Sequence, residues 1–217
     1  MTMLDTAQIT CPECGYEDQM TIWQTLNVSL DPELKHRVLD QSLFRFKCKH
    51  CDAEAPVLFR CLYHDMEAHA MVWLIEKEAS TEELKGALDT MKFALEPYKL
   101  RVVRSVNELV EIVRLLDCGL NDIAVQIVKY GATQSEGAPE GPWYFSGVEF
   151  TEGDSDERLI EFSSPGAGCS CKVPIGKEFD ELSEALAPFV CAESWLEVTP
   201  ENALQMLGES LGPEICQ

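Results

Sequence analysis

Alternation of apolar and polar positions dominates the first third of the chain. In "TIWQTLNVSL", residues 21–30, it predicts a strand, and "LFRFK" at 43–47 predicts another. Between them "DPELKHRVLDQSL" changes to helical spacing, with Asp31 as the expected N-cap and Pro32 at the first helical position. Two strands follow, "APVLFRCLYH" and "AHAMVWLIEK", rich in β-branched and aromatic residues and joined by a polar step. Leu84, Leu88, Met91 and Leu95 then recur at helical spacing behind a Ser80/Glu83 capping box, until Pro97 ends the run. "YKLRVVRS" predicts a strand. Ser105 with Glu108 opens a helix with Leu109, Ile112, Val113 and Leu116 on one side, closed by Gly119, and "NDIAVQIVKYG" predicts a further helix from Asn121 to Gly131. Such stripes are core faces before they are binding grooves.

Residues 131–142, "GATQSEGAPEGP", break every periodicity and read as a loop or linker. Beyond them "WYFSGVEF" and "RLIEFSS" predict strands, while "GKEFDELSEALAPF" and the stretch from Thr199, with Pro200 as first helical residue, predict helices. Strands and helices come in blocks, so the expected class is α+β. The expected division is 1–130, a linker at 131–142, and an acidic α+β region at 143–217 packed on the first.

Composition changes this picture in two ways. The chain has 217 residues, 46% of them hydrophobic, enough for a proper core, yet no apolar run reaches the roughly 20 residues of a spanning helix. The N-terminal segment also lacks the basic start and apolar stretch of a signal peptide, so the expectation is a cytoplasmic protein without membrane contact. The formal charge is −21, and it is uneven: residues 131–217 hold 17 acidic residues against 3 basic ones. Such a surface favours solubility and disfavours nucleic acid and anionic membranes as partners of that region.

The ten cysteines carry the candidate chemistry. In a reducing compartment, metal ligation or free thiols are better readings than disulfides. "CPECG" and "CKHC" place Cys11 with Cys14 and Cys48 with Cys51, each pair spaced so that one tight turn presents two thiolates. Together they predict one structural zinc ion on four cysteines; four thiolates suit iron as well. Gly15 suits the turn after the first pair. The 33 residues between Cys14 and Cys48 exceed a usual zinc-ribbon separation, but a folded insertion of strand, helix and strand restores the approach. "CPEC" alone also permits a thiol redox site, although no βαβ unit surrounds it.

These features resemble the CpXC domain, a bacterial and archaeal family named for paired Cys-Pro-x-Cys motifs. The likeness runs through "CPECG", "LNVSLDPELKHRVLDQSL", "CKHC", "LYHD" and "SVNELVEIVRLLDCGLNDIAVQIVKY", covering about residues 9–130. Lys49 stands where the family typically has proline, and Asp52 where glycine is common. The resemblance implies a zinc-ribbon-like lobe with a structured insertion on a mixed α/β body, and it confers no catalytic residue.

Other candidates are weaker. His64, Asp65 and His69 are metal-competent and could form an acid-base pair for a hydrolase, but adjacent strand residues face opposite ways, so His64 and Asp65 read first as a hydrogen-bonded strand end. Cys169, Cys171, Cys191 and Cys216 could bind a second metal, though their spacing argues for free thiols; Cys61 and Cys118 read as core, and His50 as outward-facing. Lys35, Arg37, Arg45, Lys47, Lys49 and His50, with Phe44 and Phe46 nearby, form a local basic patch that could meet a protein partner or a short nucleic acid. Glycine-rich nucleotide loops and the Gly-x-Ser-x-Gly nucleophile elbow are missing. The function expected is therefore a non-enzymatic zinc protein acting through protein contacts, with nucleic-acid association as the alternative.

Overall fold

A computed structural model describes residues 2–77, 98–134, 140–150, 158–191 and 195–211. The helix expected behind Ser80 lies outside the described residues. The fold is α+β, and the chain divides by contact into two compact units, Met1–Val110 and Glu111–Gln217. That boundary falls upstream of the 131–142 segment.

In the first unit a five-stranded sheet has the order β1-β2-β5-β6-β7, formed by Met3–Thr10, Glu17–Asn27, Cys61–Asp65, Ala70–Leu74 and Lys99–Val103. β1 with β2 and β5 with β6 are antiparallel, whereas β2 with β5 and β6 with β7 are parallel. Parallel neighbours require a crossover, and residues 28–60 supply it. They contain helix α1 (Pro32–Leu39), a short 3-10 turn (Ser42–Phe44) and a small antiparallel hairpin of β3 (Arg45–Lys47) and β4 (Glu54–Pro56). Leu26, Val38, Leu43, Tyr63, Val72 and Leu74 are fully buried between these elements. Helix α2 (Val106–Asp117) begins as expected: Ser105 Oγ accepts from the Glu108 N–H at 3.2 Å, and the Glu108 carboxylate reaches back to the Arg104 N–H.

The two cysteine pairs sit on hairpin tips built alike. Residues 11–16 follow the last β1–β2 pair, Thr10 with Glu17, and residues 48–53 follow the last β3–β4 pair, Lys47 with Glu54. Cys11 N–H donates to Tyr16 O at 2.8 Å, and Cys48 N–H to Ala53 O at 2.9 Å. Gly15 N–H donates to Cys11 O at 2.9 Å, and Asp52 N–H to Cys48 O at 3.0 Å. Each loop turns through one left-handed residue, Gly15 at φ 72° and Asp52 at φ 59°. Aspartate is among the few side chains that visit this region, so the loop keeps its shape without the glycine.

The second unit has a three-stranded antiparallel sheet, β10-β9-β8, from Cys169–Ile175, Arg158–Ser164 and Tyr144–Phe150. Helices α3 (Asp122–Thr133), α4 (Lys177–Val190) and α5 (Pro200–Leu211) pack together, with α3 also against β8 and β10. Glu111, 3% exposed, sits inside this unit. Its carboxylate meets Lys129 Nζ at 2.8 and 2.9 Å and accepts from the Phe145 N–H at 2.6 Å and from Gln126 Nε2 at 3.4 Å. One carboxylate therefore ties α2, α3 and β8 together.

Several expectations are corrected. β1 and β10 are strands beyond those expected: "MLDTAQIT" is exposed along most of its length and carries weak contrast between faces, whereas "CSCKVPI" does alternate, with two cysteines, valine and isoleucine on its covered face. The strand expected over 55–64 is two strands, β4 and β5, with residues 57–60 outside both; the Val57 N–H instead joins Phe44 O at 2.8 Å. Residues 43–44 form a 3-10 turn ahead of β3. Helix α1 starts at Pro32, but Asp31 makes no side-chain cap bond; Asn27 Oδ1 accepts from the Leu30 N–H at 3.1 Å instead. α3 continues past Gly131 to Thr133, and Cys118 is exposed just beyond the end of α2.

Two outcomes follow. Gly15→Ala should cost about 1 kcal/mol through the left-handed backbone alone, since a Cβ there meets nothing within 4 Å. Gly15→Asp, copying the second loop, should cost less than half as much in urea unfolding. Lys129→Met should cost about 3 kcal/mol or more by leaving Glu111 uncompensated, and adding Glu111→Gln should recover most of that loss.

Candidate metal centre

Two hairpin tips deliver four sulfurs to one place. The Sγ atoms of Cys11, Cys14, Cys48 and Cys51 all lie within 4.8 Å of one another. Across the loops, Cys11 Sγ is 3.7 Å from Cys51 Sγ, and Cys14 Sγ is 3.7 Å from Cys48 Sγ. Cys11 and Cys48 are buried, whereas Cys14 and Cys51 are exposed. The inner pair rests on a small core in which Phe46 is buried and Ile9, Met20, Ala53 and Val57 are partly covered. The His50 N–H donates to Cys48 Sγ at 3.4 Å, the support a thiolate needs.

The electrostatics are those of crowded thiols. The Cys14 backbone N–H leads in bringing Cys11 down to about 7. At Cys51 the Ala53 N–H acts downward too, but the neighbouring Cys14, burial, and the Cys11 and Cys48 thiols outweigh it and push the group up to about 12. One sulfur ionises readily and the last resists. A cation among them removes that conflict, and the donor set, four thiols with no carboxylate or imidazole, can hold a metal ion.

The flanking residues secure the arrangement. Tyr16 and His50, one from each loop, stack with centroids 5.3 Å apart and 16° between planes. Lys49 Nζ meets Asp18 Oδ1 at 2.7 Å and fastens the second loop to β2; this bond leads in lowering the Asp18 carboxyl and in raising the Lys49 ammonium. Neither Tyr16 nor Asp18 carries a sequence signal for this role, because each partner comes from the other loop.

The remaining candidates are placed as follows. Asp65 is buried: its Oδ1 accepts from the Glu67 and Ala68 N–H groups at 3.1 and 3.0 Å, and its Oδ2 lies 3.4 Å from both Lys35 Nζ and Tyr63 OH. Burial pushes this carboxyl up, but the Ala68 N–H and the Lys35 ammonium more than offset it, and the group stays below its ordinary value. His64 Nε2 faces Tyr98 OH at 3.2 Å, and the rings of His64 and His69 each lie 5.6 Å from the Tyr98 ring. Burial lowers the His64 pKa. The two histidines thus converge on Tyr98, a residue the sequence did not single out, while Asp65 is engaged by its own turn and by Lys35.

Every member of the basic patch has an internal contact. Lys35 pairs with Asp65 at 3.4 Å, Arg37 lies 4.8 Å over the Trp23 ring, Arg45 is 3.9 Å from Glu54, and Lys47 is 3.9 Å from Asp52. Lys49 and His50 are held by Asp18 and Tyr16 as above. Cys61 is buried, and burial pushes its thiol up to about 12; Cys191 is exposed, and Cys216 lies outside the described residues. Among the described residues no helix is long and apolar enough to cross a membrane.

No curated protein and no solved structure matches the chain. A family model described as CpXC protein matches residues 9–129, which takes in both hairpin tips, the inserted crossover and helices α2 and most of α3. More than half of the sequence is covered and all four clustered cysteines fall inside the match, so the chain belongs to the CpXC protein family.

Proposed function

We propose that the chain is a non-enzymatic zinc protein in which one zinc ion locks two hairpin tips together so that the first unit can present a fixed surface to a protein partner. The observation that carries this reading is the four-sulfur cluster on twin loops. A tetrahedral ion with metal–sulfur bonds of about 2.3 Å has sulfur–sulfur edges of about 3.8 Å, and the two cross-loop contacts are 3.7 Å. Four thiolates close the coordination sphere, leaving no position for water or substrate, so the metal serves folding. Zinc is preferred to iron because a site with two surface-exposed cysteines favours an ion without redox chemistry.

A protein partner fits better than a nucleic acid. The six basic-patch residues each have an internal acidic or aromatic contact, and the chain as a whole carries −21. Counterion release from a phosphate backbone needs cations in excess. In the first unit Met3, Leu4, Tyr16, Leu30, Leu58 and Met66 expose apolar surface, and β1 is an edge strand. Such features suit protein contacts.

Elemental analysis of the reduced protein tests the metal assignment. Wild type should carry one zinc per chain, and Cys48→Ala with Cys51→Ala should lose it together with the order of the β1–β2 and β3–β4 hairpins, read by hydrogen exchange. Iron in the wild type would correct the ion. A metal-free protein with a reversible Cys11–Cys14 disulfide would replace the reading with a thiol redox one.

A further inference from the structure

The second unit carries a pair of cysteines that the four-sulfur cluster does not use. Cys169 and Cys171 are two residues apart on β10, so they project from the same face of the sheet. That face is the covered one: positions 169, 171, 173 and 175 are shielded, whereas 170, 172 and 174 are exposed. The register places Cys171 opposite Phe162, a fully buried ring, and Cys169 opposite Ser164. Directly opposed side chains in an antiparallel pair stand about 5 Å apart at Cβ. Ser164 and Cys169 are therefore cross-strand neighbours, and the tight turn between the strands, where the Ala167 and Gly168 N–H groups donate to Ser164 O, fixes their register.

Ser164 is 1% exposed, and its Oγ has no hydrogen-bond partner. A buried hydroxyl without a partner is costly. A neutral thiol is a poor acceptor for it, but a thiolate is a strong one. The thiols themselves cannot readily join: side chains two apart on a strand are about 7 Å apart at Cβ, well beyond the about 4 Å of a disulfide. A single soft ion between the sulfurs is the bridge this spacing allows.

We propose that Cys169 and Cys171 form a two-thiolate site for a soft monovalent cation, Cu(I), with the Ser164 hydroxyl donating a hydrogen bond to the Cys169 sulfur. Soft thiolates select this ion, and two sulfurs in an apolar setting satisfy its low coordination demand. On binding, two S–H bonds break, two Cu–S bonds form and two protons leave to solvent. Copper enters and stays as Cu(I), so no electron is transferred. Cys191 and Cys216 are not needed.

The test uses the full chain, reduced and loaded with zinc, titrated anaerobically with Cu(I) bicinchoninate while both the probe's absorbance and released zinc are followed. Wild type should take one Cu(I) without releasing zinc. Cys169→Ser and Cys171→Ser should each weaken uptake about 100-fold, and Ser164→Ala about tenfold at unchanged stoichiometry. Cys118→Ser with Cys191→Ser should leave it unaltered. Should Cys171→Ser lose its far-ultraviolet dichroism, Cys169→Ser, at the turn end of the strand, decides. The proposal is overturned by absent uptake, by uptake matched mole for mole by released zinc, or by uptake indifferent to the Cys169 substitution. Because the outcome is read at β10, failure of the zinc assignment at the other cluster would leave it standing.

Discussion

Four sulfurs held within 4.8 Å of one another are under an electrostatic conflict, and the N-terminal unit is organised around it. The Cys14 backbone N–H leads in bringing Cys11 down to about 7, whereas at Cys51 the Ala53 N–H is outweighed by the neighbouring thiols and burial, which push it up to about 12. A divalent cation at the centre reverses the sign of that interaction. The loops then need only to aim sulfurs inward and backbone N–H groups at them. Residues 11–16 and 48–53 do this with the same two backbone hydrogen bonds and the same left-handed residue, although their sequences share little beyond the cysteines.

The path of the chain explains the long spacer between the pairs. β2 and β5 are parallel neighbours, so the chain must travel back along the sheet before β5 can begin. The second hairpin is carried on that return path, after α1. The entropy of closing a loop rises only slowly with its length, and here the loop is folded, with Leu34, Val38 and Leu43 buried. The departure from a compact ribbon spacing is thus a consequence of sheet topology, and it places a small four-cysteine lobe on the crossover of the five-stranded sheet.

How much of this was legible depended on whether a feature is local. The Cys-x-x-Cys pairs, the Ser105/Glu108 box and the start of the helix at Asn121, whose side chain accepts from the Ile123 and Ala124 N–H groups, are set by residues within a few positions of each other. They could be read directly. β1 could not, because it is an edge strand exposed along most of its length, and a strand with little buried on either face shows no alternation. The exposure of Cys118 escaped for a related reason: it follows the apolar stripe of α2 in sequence but lies past the end of the helix that points the stripe inward. Tyr98, Asp18 and Glu111 act through partners 15 to 34 residues away, beyond the reach of a local pattern.

The basic patch shows how a charge cluster legible in the sequence also finds counterparts inside the chain. Arg45, Lys47, Lys49 and His50 cluster in the sequence, and a cluster of cations ordinarily suggests an anionic partner. Four thiolates around a divalent ion would keep two net negative charges at the tip of the same hairpin. The neighbouring cations oppose that charge from within the molecule, while Asp18, Asp52 and Glu54 fix where they stand. Arg45 and Lys47 flank the site from an exposed strand, so their effect is long-range and screened, whereas Lys49 is anchored at 2.7 Å to a carboxylate that is itself only 9% exposed. Positive charge near the cluster therefore has its acidic counterparts within the chain, one of them, Asp18, reaching across from β2.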